Sequence, residues 1–193
     1  ILVGNAPGST VGKLRTVLGW DLSDIPANSV ITGASLTMTP SSVDLTSTGS
    51  GVGEIELRRL VNTTPMVESE VNWQEISNGV SWDTDGGDLG ALLGVVDGFT
   101  ASNTNMSPRV FSTDELVAAV QDSLDNGIAL EMILLSPSTE SINSREFVRW
   151  HSDDASTLAY RPLLTITYIP EPSGAMLLAL AALAGLLVRW RRS

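Results

Sequence analysis

Polar and apolar side chains alternate along several short segments of the chain. In Ala34-Ser35-Leu36-Thr37-Met38-Thr39, the alanine, leucine and methionine fall on one side of an extended backbone. The serine and the threonines fall on the other side, which is the pattern of a strand with one buried face. Similar alternation, or a short continuous apolar run, occurs in residues 14–22, 54–58, 130–135, 147–150 and 164–168. Prolines and glycines separate nearly all of these segments, so the sequence predicts an all-β fold. The most apolar segments, 130–135 and 147–150, are expected to be central strands.

One segment departs from this two-residue period. Ser112 and Glu115 have the spacing of a capping box, and Asn126-Gly127 supplies a left-handed stop. Between them, apolar residues form a stripe at helical spacing, namely Leu116, Val117, Val120 and Leu124. The sequence therefore predicts one short cover helix over about 113–125. Many evenly spaced strands with one helical insertion favour a jelly-roll-like, two-sheet antiparallel sandwich over an alternating α/β fold.

Length and composition fit one folded domain with a short appendage. The chain has 193 residues, of which 42% are hydrophobic and 17% are charged, so it can bury a core. The 22 acidic and 11 basic residues give a net charge of -11, which disfavours binding to nucleic acid and to anionic lipid. The chain has no cysteine, which excludes disulfides, thiolate metal sites and cysteine nucleophiles.

The carboxyl-terminal residues differ from everything before them. From Ala175 to Val188 no side chain is charged or forms hydrogen bonds, and the arginines Arg189, Arg191 and Arg192 follow with Trp190. Fourteen helical residues rise about 21 Å against a hydrocarbon thickness of about 30 Å, so Trp190, snorkelling arginines or local thinning must complete the span. The sequence predicts a single membrane-spanning helix over about 175–190. The alternative is a buried helix of the domain, whose water-facing positions would then lack polar groups.

The basic end of the chain predicts its orientation in the membrane. Arg189, Arg191 and Arg192 are expected to stay cytoplasmic, which places residues 1–168 on the opposite side. Export needs an amino-terminal signal, and the sequence begins at Ile1 rather than at a methionine. We therefore expect that the chain is trimmed or processed.

Just before the apolar run, Pro170-Glu171-Pro172 holds the backbone extended and accessible. The order of this motif, an apolar helix and an arginine cluster resembles the PEP-CTERM sorting signal of Gram-negative bacteria that make exopolysaccharide. The resemblance covers residues 169–193 and implies recognition by an exosortase, a membrane-embedded protease that cuts near the motif and releases or transfers the protein to the cell exterior. A glycosylphosphatidylinositol signal is the rival, with small residues at Ser173, Gly174 and Ala175, but that signal has a polar spacer and no basic end.

The rest of the chain carries a second resemblance. Trp20-Asp21-Leu22-Ser23-Asp24-Ile25-Pro26-Ala27 is followed by the strand at 31–36 and by segments at 72–75, 80–82, 86–88, 120–121, 147–152 and 161–168. Their ordered succession resembles the DNRLRE-type domain, and we take residues 1–168 as this domain. The resemblance implies a β-sandwich of secreted bacterial proteins, related to carbohydrate-binding modules for acidic polysaccharide, and so binding rather than catalysis. The acidic body with its one lysine, Lys13, argues against a polyanionic glycan as the ligand.

Two groups of side chains are candidates for binding. Trp73 and Trp82 flank a polar loop and are expected to be the more exposed tryptophans, able to stack on sugar rings, although we favour structural packing for both. Trp20 and Trp150 are expected to be buried. Asp83, Asp85 and Asp88 surround a Gly-Gly turn and offer oxygen ligands to calcium. The position where an EF-hand requires glutamate holds Val95, so a plain turn is the favoured interpretation.

Catalytic patterns are weak in this sequence. His151 is the only histidine, and no Gly-x-Ser-x-Gly elbow occurs, so nucleophilic hydrolysis is disfavoured and His151 is expected to be an ordinary surface or turn residue. A pair of glycosidase carboxylates would have to be recognised by its spacing in three dimensions. The sequence therefore predicts that the protein is not an enzyme.

These patterns lead to one hypothesis and two alternatives. The hypothesis is an exported bacterial cell-surface or biofilm-matrix protein with a structural or adhesive sandwich. It would first lie in the inner membrane as a single-pass protein with its body outside the cytoplasm, and would reach the surface or matrix after processing. Its partners would be an exosortase and the membrane, not nucleic acid, and its only candidate cofactor is calcium. The alternatives are a carbohydrate-binding module for extracellular polysaccharide and a glycan-cleaving enzyme.

Overall fold

The computed structural model describes residues 1–6, 12–46, 51–62, 64–100, 106–140, 142 and 144–171. Within these ranges, no helix has both the length and the apolar character needed to cross a membrane. The helix predicted over 175–190, Pro172, and the arginines Arg189, Arg191 and Arg192 lie outside the described residues. The membrane span therefore stays a prediction.

Short strands dominate the described part of the chain. In order they are β1 (Leu2–Asn5), β2 (Lys13–Leu14), β3 (Thr16–Trp20), β4 (Val30–Met38), β5 (Pro40–Asp44), β6 (Ile55–Leu60), β7 (Glu75–Ser77), β8 (Val80–Ser81), β9 (Leu89–Val96), β10 (Arg109–Phe111), β11 (Leu130–Leu135), β12 (Glu146–Trp150) and β13 (Leu163–Ile169). The helices are α1 (Asp114–Asn126), the single turn α2 (Pro137–Glu140) and a 3-10 turn, Leu158–Tyr160.

The strands form four sheets in the described residues, with orders β2-β1-β12-β5, β10-β4-β13, β3-β11-β6-β9 and β7-β8. Every pairing between these strands is antiparallel. Both β11 and β12 have a partner strand on each side, as expected for central strands. The predicted antiparallel all-β fold with one short helix is confirmed.

A continuous extended segment joins the first two of these sheets. Only Thr39 separates β4 from β5. The segment pairs with β13 through Thr37 and Leu163, and with β12 through Pro40 and Trp150. At Thr39 itself, the carbonyl oxygen accepts a hydrogen bond from the His151 amide at 3.0 Å. The chain therefore leaves the sheet after β12, makes an excursion over residues 152–162, and returns to the same segment as β13.

One apolar cluster draws on all three of the larger sheets. Buried side chains that meet in it include Val3, Leu36, Met38, Leu57, Leu134 and Val148. Ala34, Leu36 and Met38 are buried as predicted, whereas Thr39, expected to face water, is also buried. The reason is local, because Thr39 lies at the step from β4 to β5, where Met38, Thr39 and Pro40 are buried in succession and the two-residue period is broken.

Helix α1 covers this core. Its cap is Thr113 rather than the predicted Ser112, because the Thr113 hydroxyl oxygen accepts the Leu116 amide at 3.1 Å and also donates to the Leu93 carbonyl on β9. Gly127, with φ of 63°, ends the helix as predicted. Of the predicted stripe, Leu116 and Val120 are buried, while Val117 and Leu124 are partly buried against the same cluster.

Candidate functional site

The residues singled out for binding lie in the segment over 72–88, a long loop that contains the short β7-β8 hairpin. Arg15 connects this loop to the body of the protein. Arg15 lies between β2 and β3, and its side chain is 10% exposed. Its Nε and Nη2 donate to the two carboxylate oxygens of Glu140, at 2.6 and 2.8 Å. Its Nη1 donates to the Gly86 carbonyl at 3.0 Å. One guanidinium group therefore connects the strands, the end of α2 and the Gly-Gly turn.

The same guanidinium group lies over the ring of Trp73, with its central carbon 5.2 Å from the ring centroid. The Arg15 side chain has little rotational freedom, because its guanidinium group forms a bidentate contact with a carboxylate and also packs against an aromatic face. Glu140 is 17% exposed and has Lys13 Nζ at 3.9 Å as a second cation. We call Arg15, Trp73, Gly86 and Glu140 the Trp73 corner.

The loop places Trp73 through its own short-range hydrogen bonds. The side-chain oxygen of Asn72 accepts the amides of Gln74 and Glu75, at 2.9 and 3.0 Å. The Gly86 amide donates to the Trp73 carbonyl at 2.6 Å. Gly86 has φ of 89°, and a Cβ there would approach the Trp73 ring to 2.7 Å. Only glycine fits this position, because the backbone lies against the ring.

The tryptophans differ from the expected exposure at two positions. Trp82, expected to be exposed, is 6% exposed, and its Nε1 donates to the Asn72 carbonyl at 2.9 Å. The ring packs into a second apolar cluster with Ile76 and Ile133. This agrees with the structural packing favoured from the sequence, whereas the expectation that Trp82 is among the more exposed tryptophans is wrong. Trp20, expected to be buried, is half-buried, whereas Trp150 is buried as predicted. Trp73 is half-buried, so of the two candidates for sugar stacking only Trp73 is partly exposed.

The acidic loop has the geometry of a turn. Both oxygens of Asp88 are engaged, because Oδ1 accepts the Thr84 amide at 2.7 Å and Oδ2 accepts the Asp83 amide at 3.1 Å. Asp83 and Asp85 are exposed. In the part of the chain that the structure describes, no three histidine, cysteine or acidic side chains are grouped so that they could hold a metal ion. The plain turn stays the favoured interpretation, and calcium binding by Asp83, Asp85 and Asp88 stays the untested alternative.

The remaining sequence candidates lie elsewhere. His151 is half-buried, and its ring stacks on Tyr160 with centroids 4.9 Å apart. Pro170 and Glu171 are exposed and follow directly after β13, which ends at Ile169.

A groove beside α1 was not expected from the sequence. It has a volume of about 550 Å³ and runs between α1 and strands β6 and β9. Arg59 lines this groove. Its Nη1 donates to the Ala119 carbonyl at 2.7 Å, and its Nη2 lies 3.6 Å from Asp122 Oδ2. An adjoining cavity of about 300 Å³ lies near the carboxyl end of α1 and is lined in part by Asp21. Hydrogen bonds from the amide and the hydroxyl of Ser23 lower the pKa of Asp21. The walls of the larger groove are mostly apolar.

No protein-family model matches this chain, and no curated protein matches it.

Proposed function

We propose that this chain is an exported bacterial protein of the cell surface or biofilm matrix. In this proposal an exosortase recognises its carboxyl-terminal tail, and the body is a structural or adhesive domain without enzymatic activity. The observation that carries the proposal is the order of Pro170-Glu171-Pro172, an apolar run and an arginine cluster at the end of the sequence. This order resembles the PEP-CTERM sorting signal.

The position of the motif supports this function. Ile169 ends β13 and is 61% exposed, and Pro170 and Glu171 are exposed immediately after it. A protease needs an extended and accessible backbone, and a proline keeps the residue before it out of the helical region. In this scheme the body is translocated, residues 175–188 hold it in the inner membrane, and cleavage near the motif then frees it.

The body fits a jelly-roll-like sandwich of the DNRLRE type, which we propose as its finer fold. In this fold the shared segment from β4 to β5, which pairs with β13 and with β12, would join the β10-β4-β13 and β2-β1-β12-β5 sheets into one layer. The β3-β11-β6-β9 sheet would form the second layer, because side chains of both groups meet in one apolar cluster. An antiparallel sandwich of this kind presents loops and strand surfaces for adhesion.

Replacing Pro170, Glu171 and Pro172 together by alanine is expected to leave the protein uncut in the inner membrane. The substitution removes the recognition motif but leaves the apolar run and the arginines in place. The measurement is cell fractionation with immunoblotting, in a host that carries an exosortase. Protease digestion of spheroplasts, from which the outer-membrane barrier has been removed, reports the side of the inner membrane on which the body lies.

The matched control replaces the exposed Pro108 and Glu115 by alanine, which changes the same residue types away from the tail. This control should be cut and released as the parent is. Release of the triple-alanine variant at the parent's rate would contradict the sorting proposal. Protection of the body in spheroplasts, which lack an outer-membrane barrier, but not in lysed cells would contradict export.

A carbohydrate-binding module is the second candidate, and the Trp73 corner is the observation that favours it. Arg15 and Gly86 hold a half-buried tryptophan ring, and the polar side chains of Asn72, Gln74 and Asp83 are exposed in the same loop. A rigid aromatic ring bordered by hydrogen-bonding groups is suited to stacking on a sugar.

If the Trp73 corner binds a glycan, Trp73→Ala is expected to weaken binding at least about tenfold, the effect of losing about 1.4 kcal/mol of stacking. Glycan-array screening followed by calorimetry on the best ligand measures this. Trp20→Ala is the control, because Trp20 is also half-buried but lies on β3. Equal losses in the two variants, or no loss in Trp73→Ala, would rule out this corner as the glycan site.

A further inference from the structure

Two buried oxygen atoms on neighbouring strands have no hydrogen-bond partner among the described residues. They are Asn5 Oδ1 on β1 and Glu146 Oε2 on β12. Asn5 is 5% exposed and Glu146 is fully buried. The two residues face each other in the antiparallel register of β1 and β12. Side chains of directly opposed residues lie on the same face of a sheet with Cβ atoms about 5 Å apart, so both oxygens belong to one small polar region.

The orientation of the Asn5 amide is fixed by its other end. Its Nδ2 donates to the carbonyl oxygens of Thr139 and Ile142, at 3.1 and 2.5 Å. Exchanging the oxygen and nitrogen positions would set Oδ1 against two carbonyl oxygens, which cannot donate. The amide oxygen is therefore held on the side away from these carbonyls, as an acceptor without a donor.

The Glu146 carboxylate is incompletely satisfied as well. Its Oε1 accepts one hydrogen bond, from the Thr46 hydroxyl at 3.2 Å, and none of the ion pairs in the described part of the chain includes it. The other buried carboxylate, Glu131, is 8% exposed and has both oxygens paired, with Asn62 Nδ2 at 2.6 Å and the Met66 amide at 2.7 Å. Buried carboxylates are normally paired with cations or coordinate metal ions.

We propose that Asn5 and Glu146 form a binding site for a hard divalent cation, with Ca²⁺ as the best fit. A carboxylate oxygen and an amide oxygen are ligands of the type that Ca²⁺ prefers, and a cation between them would neutralise the buried charge. Ca²⁺ tolerates irregular sets of six to eight oxygens that include main-chain carbonyls and water. Mg²⁺ demands a near-ideal octahedron and releases its water reluctantly, which suits a buried site less well.

This site goes beyond the proposed sorting function and is separate from the Asp83, Asp85 and Asp88 turn. It would join β1 to β12, two strands that are far apart in the sequence. Its expected effect is therefore on the stability of the sheet.

The test is calorimetric titration and thermal unfolding of the full chain in mild detergent, first in EDTA and then with CaCl₂ or MgCl₂. We expect one Ca²⁺ per chain, and a rise in Tm of roughly 5 to 10 °C at a concentration about a hundred times the dissociation constant. Mg²⁺ should give a smaller shift.

Glu146→Gln is the decisive variant, because glutamine has the same shape, carries no charge and can donate from Nε2 to Asn5 Oδ1. In EDTA this variant should be at least as stable as the parent, since an amide nitrogen replaces the unpaired Glu146 Oε2 and can donate to Asn5 Oδ1. Ca²⁺ should not change its Tm. Asn5→Ala should weaken Ca²⁺ binding without removing the charge.

Two controls separate this site from other sources of a calcium effect. Glu131→Gln changes a buried carboxylate that already has partners, so it should be less stable but keep the full Ca²⁺ shift. Replacing Asp83, Asp85 and Asp88 by asparagine should also leave the shift intact. An absence of Ca²⁺ binding in the parent, or a Glu146→Gln variant that still gains the parent's shift, would overturn the proposal.

Discussion

Arg15→Met is expected to lower the free energy of unfolding by about 3 to 5 kcal/mol, the usual effect of removing one partner from a buried ion pair. The Glu140 carboxylate would lose two charge-assisted hydrogen bonds, and the Gly86 carbonyl would lose its donor. Methionine fills similar space but supplies neither. Lys13, at 3.9 Å from Glu140, would offset part of this loss. Urea unfolding followed by tryptophan fluorescence measures the change.

Arg145→Met is the matched control for this prediction. Arg145 also donates two hydrogen bonds to a carboxylate, from Nε and Nη2, but both end on the same oxygen, Oδ2 of Asp44, at 3.0 and 2.7 Å. Its side chain is 57% exposed, however, and that of Asp44 is 40% exposed, so this pair should contribute no more than about 1 kcal/mol. A double-mutant cycle of Arg15→Met with Glu140→Gln isolates the coupling. Equal losses for Arg15→Met and Arg145→Met would show that the Trp73 corner is not a stabilising connection.

Gly98→Ala is expected to destabilise the protein by about 3 kcal/mol or more, at the upper end of the range for overpacking. A methyl group at Gly98 would overlap the carbonyl oxygens of Val52 and Gly53 and lie 2.5 Å from the Gly53 carbonyl carbon. These atoms belong to the backbone, so no side chain can move aside to make room. The next residue, Phe99, is fully buried and pairs with Val52 through its amide at 2.5 Å.

The fall in Tm for Gly98→Ala should be about 6 to 12 °C for a domain of this size, measured by circular dichroism. Gly12→Ala is the control, because a Cβ at Gly12 would meet no atom of the described residues within 4 Å, and Gly12 is not among the described glycines with positive φ. That variant should stay within about 1 kcal/mol of the parent. A Gly98→Ala variant as stable as Gly12→Ala would mean that the two segments of the chain that pair at Val52 and Phe99 lie further apart than the structure shows.

Alternation and apolar runs predicted the strands whose pattern of burial stays the same along their whole length. β11 coincides with the predicted 130–135 because it is central and buried at every position. β9 was not predicted, since glycines interrupt its sequence. Its Gly90 and Gly94 are placed where a Cβ would press on Arg59 and Phe111, at 3.1 and 3.2 Å. Tertiary packing, which a local pattern does not express, makes glycine suitable in this strand.

In the candidate site as well, features set by neighbouring residues could be predicted, whereas contacts between residues far apart in the sequence could not. The polar loop with Trp73 and the turn closed by Asp88 could be found because their signals lie within a few residues. Arg15 and Glu140 were missed because they are 125 residues apart, and neither sequence position differs from an ordinary surface charge. Structural packing of Trp82 was the favoured interpretation, but its partner Ile133 could not be named from the sequence, because Ile133 comes from a strand far away along the chain.

The excursion over residues 152–162 leaves the sheet beside Thr39 and returns beside Thr37. The two ends of the excursion are therefore held by neighbouring positions of one segment, independently of the sequence and length of the excursion. Doubling the length of such a loop adds only about 0.6 kcal/mol of closure entropy. Evolution can lengthen or replace this stretch at little thermodynamic expense, so it is the natural place for variants of the protein to diversify the surface that they show to their surroundings.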